Sequence, residues 1–148
     1  MGKAFNVSDE NIKKALENYI PLNSRSQLII KDSNKIFLDA YNANPSSMKA
    51  AIENFANIPG KNKTLILGAM MEMGKDSDIE HQAIIDLILK YSWNNIVLVG
   101  KEFVYVPGEF MHFKNVEEAK NWFKQQHFKN EHILLKGSRS MQMEKLLE

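Results

Sequence analysis

The basic turn Lys136-Gly137-Ser138-Arg139 is the segment of this chain best equipped for chemistry. Two cations, a hydroxyl and free backbone N–H groups at a helix start can hold a carboxylate or a phosphate. The same residues also read as a loop with solvated charges. Asp39 follows an apolar run, where a carboxylate can accept hydrogen bonds from a ribose diol or simply cap a turn. The amides of Asn42 and Asn44 can hold a ligand or serve as turn residues. Asn44 stands directly before Pro45, the pattern of a helix N-cap with proline at the first helical position.

Other chemistry-bearing residues point to structure. Gly68 to Gly74 lacks the G-x-G-x-x-G spacing of a dinucleotide turn, and the chain has no G-x-x-x-x-G-K-[ST] phosphate loop. Met70, Met71 and Met73 suit core or loop packing, with a flexible contact surface as the alternative. Glu72 reads as solvated. His81, near a helix start, reads as structural or exposed, and His112, His127 and His132 have no metal-site spacing. Trp122, at helical spacing, reads as core.

These residues must be positioned by an alternation of strands and helices. Ser8 reads as the N-cap of a helix bearing Ile12, Leu16 and Tyr19, with Pro21 as its expected stop. Gln27–Ile30 and Lys35–Leu38 read as a hairpin around Asp32-Ser33-Asn34. A helix carries Met48, Ala51, Ile52 and Phe55. Thr64–Leu67 and Ile96–Val99, each ending at a glycine, read as buried strands, separated by a helix with Ile84, Leu87, Ile88 and Tyr91. A short strand at Met111–Phe113, a helix with Val116, Ala119, Trp122 and Phe123, the strand Ile133–Leu135 and a terminal helix complete the pattern.

The expected fold is therefore α/β: a three-layer, Rossmann-like domain. Its sheet has about six strands and is mostly parallel, with one antiparallel edge strand and helices on both faces. Ligands of such sheets bind beyond the carboxyl ends of the strands, which selects loops 39–45, 68–77, 100–110 and 136–140.

Composition narrows the partners. The chain has 148 residues, 44% hydrophobic and 25% charged, which suits one globular domain. Nineteen basic and eighteen acidic residues leave a net charge of +1, without the basic excess of a nucleic-acid binder. The absence of cysteine excludes disulfides and thiolate chemistry. No apolar run approaches the ~20 residues of a membrane span and no signal peptide opens the chain, so a cytoplasmic location is expected. Both ends read as cut from a longer protein, and the sequence leaves open whether Leu147-Glu148 are cloning remnants.

The run Leu38-Asp39-Ala40-Tyr41-Asn42-Ala43-Asn44-Pro45-Ser46-Ser47-Met48-Lys49-Ala50-Ala51 closely resembles the start of the C-terminal domain in the Mur ligase family. Further blocks agree in order. Leu67-Gly68-Ala69-Met70-Met71-Glu72-Met73-Gly74 resembles the family's Gly-Asp-Met-x-Glu-Leu-Gly block. Glu80-His81 resembles the Glu-His pair after it, and Leu135 to Glu144 the closing Lys-Gly-Ser-Arg block. Asn23-Ser24-Arg25-Ser26 resembles the arginine-bearing segment at the domain junction.

The resemblance implies a three-domain, ATP-dependent ligase of cell-wall precursor synthesis. It implies that residues 1–22 are a residual helix from the junction with the central domain and 23–148 the C-terminal domain. The implied reaction adds D-alanyl-D-alanine to UDP-N-acetylmuramoyl-tripeptide through an acyl phosphate. The partners are the chain's own N-terminal and central domains, with no nucleic acid and no membrane span. Asp39 would bind the ATP ribose, with Arg25, Asn42 and Asn44 near the nucleotide. Lys136, Ser138 and Arg139 would read the dipeptide carboxylate. Magnesium would be held mainly by the central domain, with no metal site and no catalytic residue in this chain alone. Ala69 departs from the family block, which has aspartate there. The competing reading is a stand-alone, non-catalytic α/β module binding a nucleotide or small acid.

Overall fold

The structure, a computed structural model, describes residues 27–40 and 42–148. The helix expected after Ser8, its stop at Pro21, the 1–22 appendage, Arg25 and Tyr41 lie outside the described residues.

The described residues open with a hairpin. Strand β1, Gln27–Lys31, pairs antiparallel with β2, Asn34–Asp39, and the Lys31↔Asn34 register leaves Asp32 and Ser33 as the turn. Asp32 takes φ 57°, a left-handed conformation that Asp tolerates better than most residues. The expected turn residue Asn34 belongs to the strand. Its amide is buried, donating to the Phe128 carbonyl and accepting from the Glu131 N–H.

Four further strands follow: β3, Lys63–Gly68; β4, Asn95–Val99; β5, Met111–Phe113; and β6, His132–Lys136. The sheet order is β1-β2-β6-β3-β4-β5, and every pair beyond the hairpin is parallel. All of β3 is buried, which its unbroken apolar run Leu65-Ile66-Leu67 requires.

Among the described residues the α-helices are α1, Pro45–Ala56; α2, Ser77–Ile88; and α3, Val116–Lys124. Met48, Ile52 and Phe55 of α1 join Ile84, Ile85 and Ile88 of α2 against Leu65, Leu67, Leu98 and Leu134 on one sheet face. Val116, Ala119 and Phe123 of α3 cover Ile36, Leu38, Ile66, Val97, Ile133 and Leu135 on the other. Each such aliphatic side chain contributes about 1.5–3 kcal/mol by leaving water. Trp122 is half-buried at the rim of this second layer, against Phe113 and Phe128. Tyr91 falls beyond the end of α2 and packs on the first layer from its turn.

The expected terminal helix is replaced by two 3₁₀ turns, Arg139–Met141 and Met143–Leu147. Gln142, between them, is left-handed at φ 55°, ψ 48°, which an α-helix cannot contain. The apolar anchors Met143 and Leu146 stand three apart, the 3₁₀ repeat, and are buried against the α3 layer.

Candidate functional site

The loop after β2 leads to α1 on one face of the sheet, whereas the chain after β6 leads to the 3₁₀ turns on the other. Adjacent strands whose connections leave in opposite directions open a crevice at their carboxyl ends. Asp39 and Lys136 end these two strands and are direct register partners.

The two residues were expected to serve different ligands, and they bind one another. Lys136 Nζ donates to Asp39 Oδ2 at 2.9 Å and to the Asn42 carbonyl at 3.0 Å. The Lys136 side chain is 1% exposed and that of Asp39 27%. The cation is thus interior and the carboxylate sits at the rim.

Asn44 is a helix N-cap, as its position before Pro45 suggests. Its Oδ1 accepts from the Ser47 N–H at 2.8 Å, and Ser47 Oγ accepts from the Asn44 N–H at 3.0 Å, a reciprocal capping box. Asn42 and Asn44 are both exposed on the loop between Asp39 and α1.

On the other side of β6 the backbone is stitched to the β3 loop. The Ser138 N–H donates to the Ala69 carbonyl at 3.2 Å, and Ser138 Oγ accepts from the Met71 N–H at 2.8 Å. Ser138 is buried, whereas Arg139 is exposed at the start of the first 3₁₀ turn.

His81 belongs to the same scaffold. Its Nε2 accepts from the Met70 N–H at 3.0 Å, and its Nδ1 lies 2.7 Å from the Ser77 carbonyl. A carbonyl only accepts, so the ring carries its proton on Nδ1. His81 is buried edge-on to Phe103, with centroids 4.8 Å apart. Sequence reading placed it near a helix start but gave it no partner. The Ser77/His81 spacing of four, one helical turn, was the available signal.

Met70 is core, Met73 packs half-buried beside it, and Met71 is exposed. Glu72 is exposed, with φ 63°. Ala69 is fully buried, its methyl 2.8 Å from where a Cβ on Gly100 would lie. An aspartate there would be a buried charge against that backbone.

Among the described residues no three His, Cys, Asp or Glu side chains cluster to hold a metal ion. Among those residues no helix is long and apolar enough to cross a membrane.

Fold and site define a Rossmann-like α/β domain with polar side chains gathered at the carboxyl edge of its sheet. Residues 24–139 match the family "Mur ligase, glutamate ligase domain". The chain belongs to the Mur ligase family, whose C-terminal domain it matches. It is 32% identical to the UDP-N-acetylmuramoyl-tripeptide–D-alanyl-D-alanine ligase of Rickettsia prowazekii (strain Madrid E), across 100% of this chain and 33% of that protein. The ligase of the same name from Bacillus subtilis (strain 168) is 31% identical over 99% of this chain and 35% of its own length. A MurF crystal structure from Acinetobacter baumannii superposes with a TM-score of 0.75 at 30% identity, covering 95% of this chain and 32% of that one. MurF from Thermotoga maritima, crystallised with ADP, shares the fold with a TM-score of 0.72 at 22% identity, covering 86% and 30%. The chain thus spans about a third of the length of these relatives.

Proposed function

We propose that this chain is the part of an ATP-dependent ligase that closes over the nucleotide and presents D-alanyl-D-alanine to an activated UDP-N-acetylmuramoyl-tripeptide. The observation that carries this reading is the match along the whole chain to relatives bearing that ligase name. It favours a ligase over a stand-alone binding module.

In this reading the nucleotide occupies the Asp39 side of the crevice. Asp39 accepts from the ribose hydroxyls, and Asn42 and Asn44 line the loop beside it. Arg25 contacts the nucleotide too. The dipeptide carboxylate occupies the 136–140 turn. Exposed Arg139 supplies the cation, and the Ser138 hydroxyl, while accepting from Met71, keeps its own proton to donate.

The precursor carboxylate attacks the γ-phosphorus of ATP, releasing ADP and forming an acyl phosphate. The dipeptide amine then adds to the acyl carbon. The tetrahedral intermediate expels phosphate and the nitrogen loses its proton, leaving an amide. This domain's contribution is to orient the amine and exclude water from the acyl phosphate, which otherwise hydrolyses. Phosphoryl transfer and its magnesium belong to the central domain, and the reaction is cytoplasmic, where ATP is supplied. The isolated chain turns nothing over.

The test is steady-state kinetics of the full-length ligase. Arg139→Ala raises the KM for D-alanyl-D-alanine about tenfold, the cost of one charge-assisted pair, with the KM for ATP little changed. An equal loss for both substrates counts against the carboxylate role, and ligation by the isolated chain overturns the division of labour.

A further inference from the structure

We infer that Lys136 is a positioning residue for the nucleotide, acting through Asp39, and does not itself read the dipeptide. The inference rests on Asp39 being the ribose ligand. It departs from the expectation that Lys136 belongs with Ser138 and Arg139.

Three features carry it. The side chain is 1% exposed, so its ammonium is withdrawn from the surface where a carboxylate would arrive. Its hydrogen bonds run to Asp39 Oδ2 and the Asn42 carbonyl, both on the segment leaving β2. Asp39 and Lys136 are also side by side in the β2–β6 register, so the contact follows from the sheet itself.

The arrangement does two things for a diol. A carboxylate has about four acceptor sites, and the Lys136 bond uses one while limiting rotation of the group. Holding the Asn42 carbonyl with the same ammonium fixes Asn42 relative to Asp39. A ligand then meets a carboxylate already oriented, and less ordering is required on binding. Such a role affects recognition of the ribose hydroxyls specifically, which a general loss of stability does not.

The experiment compares ATP with 2′,3′-dideoxy-ATP as substrates of the full-length ligase, with the KM for D-alanyl-D-alanine measured in parallel. The wild type prefers ATP. Lys136→Met loses about tenfold in kcat/KM for ATP and little for the dideoxy nucleotide, so the preference collapses while the dipeptide KM holds. Lys136→Gln, which keeps an N–H donor on a similar stem, falls between the two. Retention of the full preference in Lys136→Met, or a rise confined to the dipeptide KM, overturns the inference. If Lys136→Met does not fold, Lys136→Gln decides alone: a reduced preference supports the role and a wild-type preference refutes it. A wild type with no preference for ATP refutes the ribose assignment of Asp39 instead, and the inference falls with it.

Discussion

Gly68, at the end of β3, and Gly137, just past the end of β6, meet backbone to backbone. A Cβ on Gly137 would lie 2.9 Å from Gly68 Cα and 2.9 Å from Met143 Cγ. One on Gly68 would first meet Met143 Sδ, at 2.7 Å, and then Gly137 Cα at 3.3 Å. This close approach lets the 136–140 turn lie against the β3 loop and form the Ser138 bonds to Ala69 and Met71.

The two glycines therefore differ in tolerance. Gly137→Ala must move backbone and is expected to destabilise by about 1–3 kcal/mol, the usual range for overpacking. Gly68→Ala collides mainly with the Sδ and Cγ of buried Met143 rather than with backbone, and is expected to cost less than Gly137→Ala. Urea unfolding of both variants checks the order.

His81 holds the Met-rich loop from the other side. His81→Phe keeps a ring against Phe103 but leaves the buried Met70 N–H without its acceptor, a loss of about 1–3 kcal/mol. Amide exchange at Met70 and Met71 is expected to accelerate more than exchange in β3, which reads loosening of the loop apart from global unfolding.

Asp39→Ala leaves the Lys136 ammonium interior with the Asn42 carbonyl as its remaining partner of the two. Removing one member of a buried pair is costly, but the Asp39 side is partly solvated, so a loss of about 1–3 kcal/mol is expected. The same variant is expected to weaken ATP binding by the full-length ligase; unchanged affinity by calorimetry would refute the ribose role.

The fold was legible because its signals are local. Apolar runs such as Thr64–Leu67 require burial on both faces, the Met48, Ile52 and Phe55 spacing marks one helical face, and Asn44-Pro45 marks a helix start. The terminal segment was misread because Met143 and Leu146 fit both a 3.6- and a 3.0-residue repeat, and nothing in the sequence shows that Gln142 turns left-handed. The site was legible only as separate loops. Whether Lys136 faces solvent or Asp39 depends on strand register between segments far apart in sequence, and no local pattern encodes that. Ser138 likewise reads as a surface hydroxyl until the meeting of Gly68 and Gly137 brings Met71 to it.

Lys63 gives the structure a pH dependence with a defined sign. Lys63 is buried, and its ammonium donates to the Ala56 carbonyl at 2.7 Å at the end of α1 and lies 5.9 Å from the Phe55 ring centroid. Burial lowers its pKa below the usual 10.5, because the charged form is poorly solvated there. The unfolded chain then binds more protons than the folded one at this site between the folded value and 10.5. Over that window stability rises with pH, as the penalty on the buried charge is relieved. Lys63→Met removes the titration, so the stability of the wild type relative to this variant is expected to increase from pH 7 towards pH 10. Paired urea unfolding curves at the two pH values measure the difference directly. A constant difference would show that the Ala56 bond and the Phe55 ring offset desolvation at this lysine, and a falling one that they outweigh it.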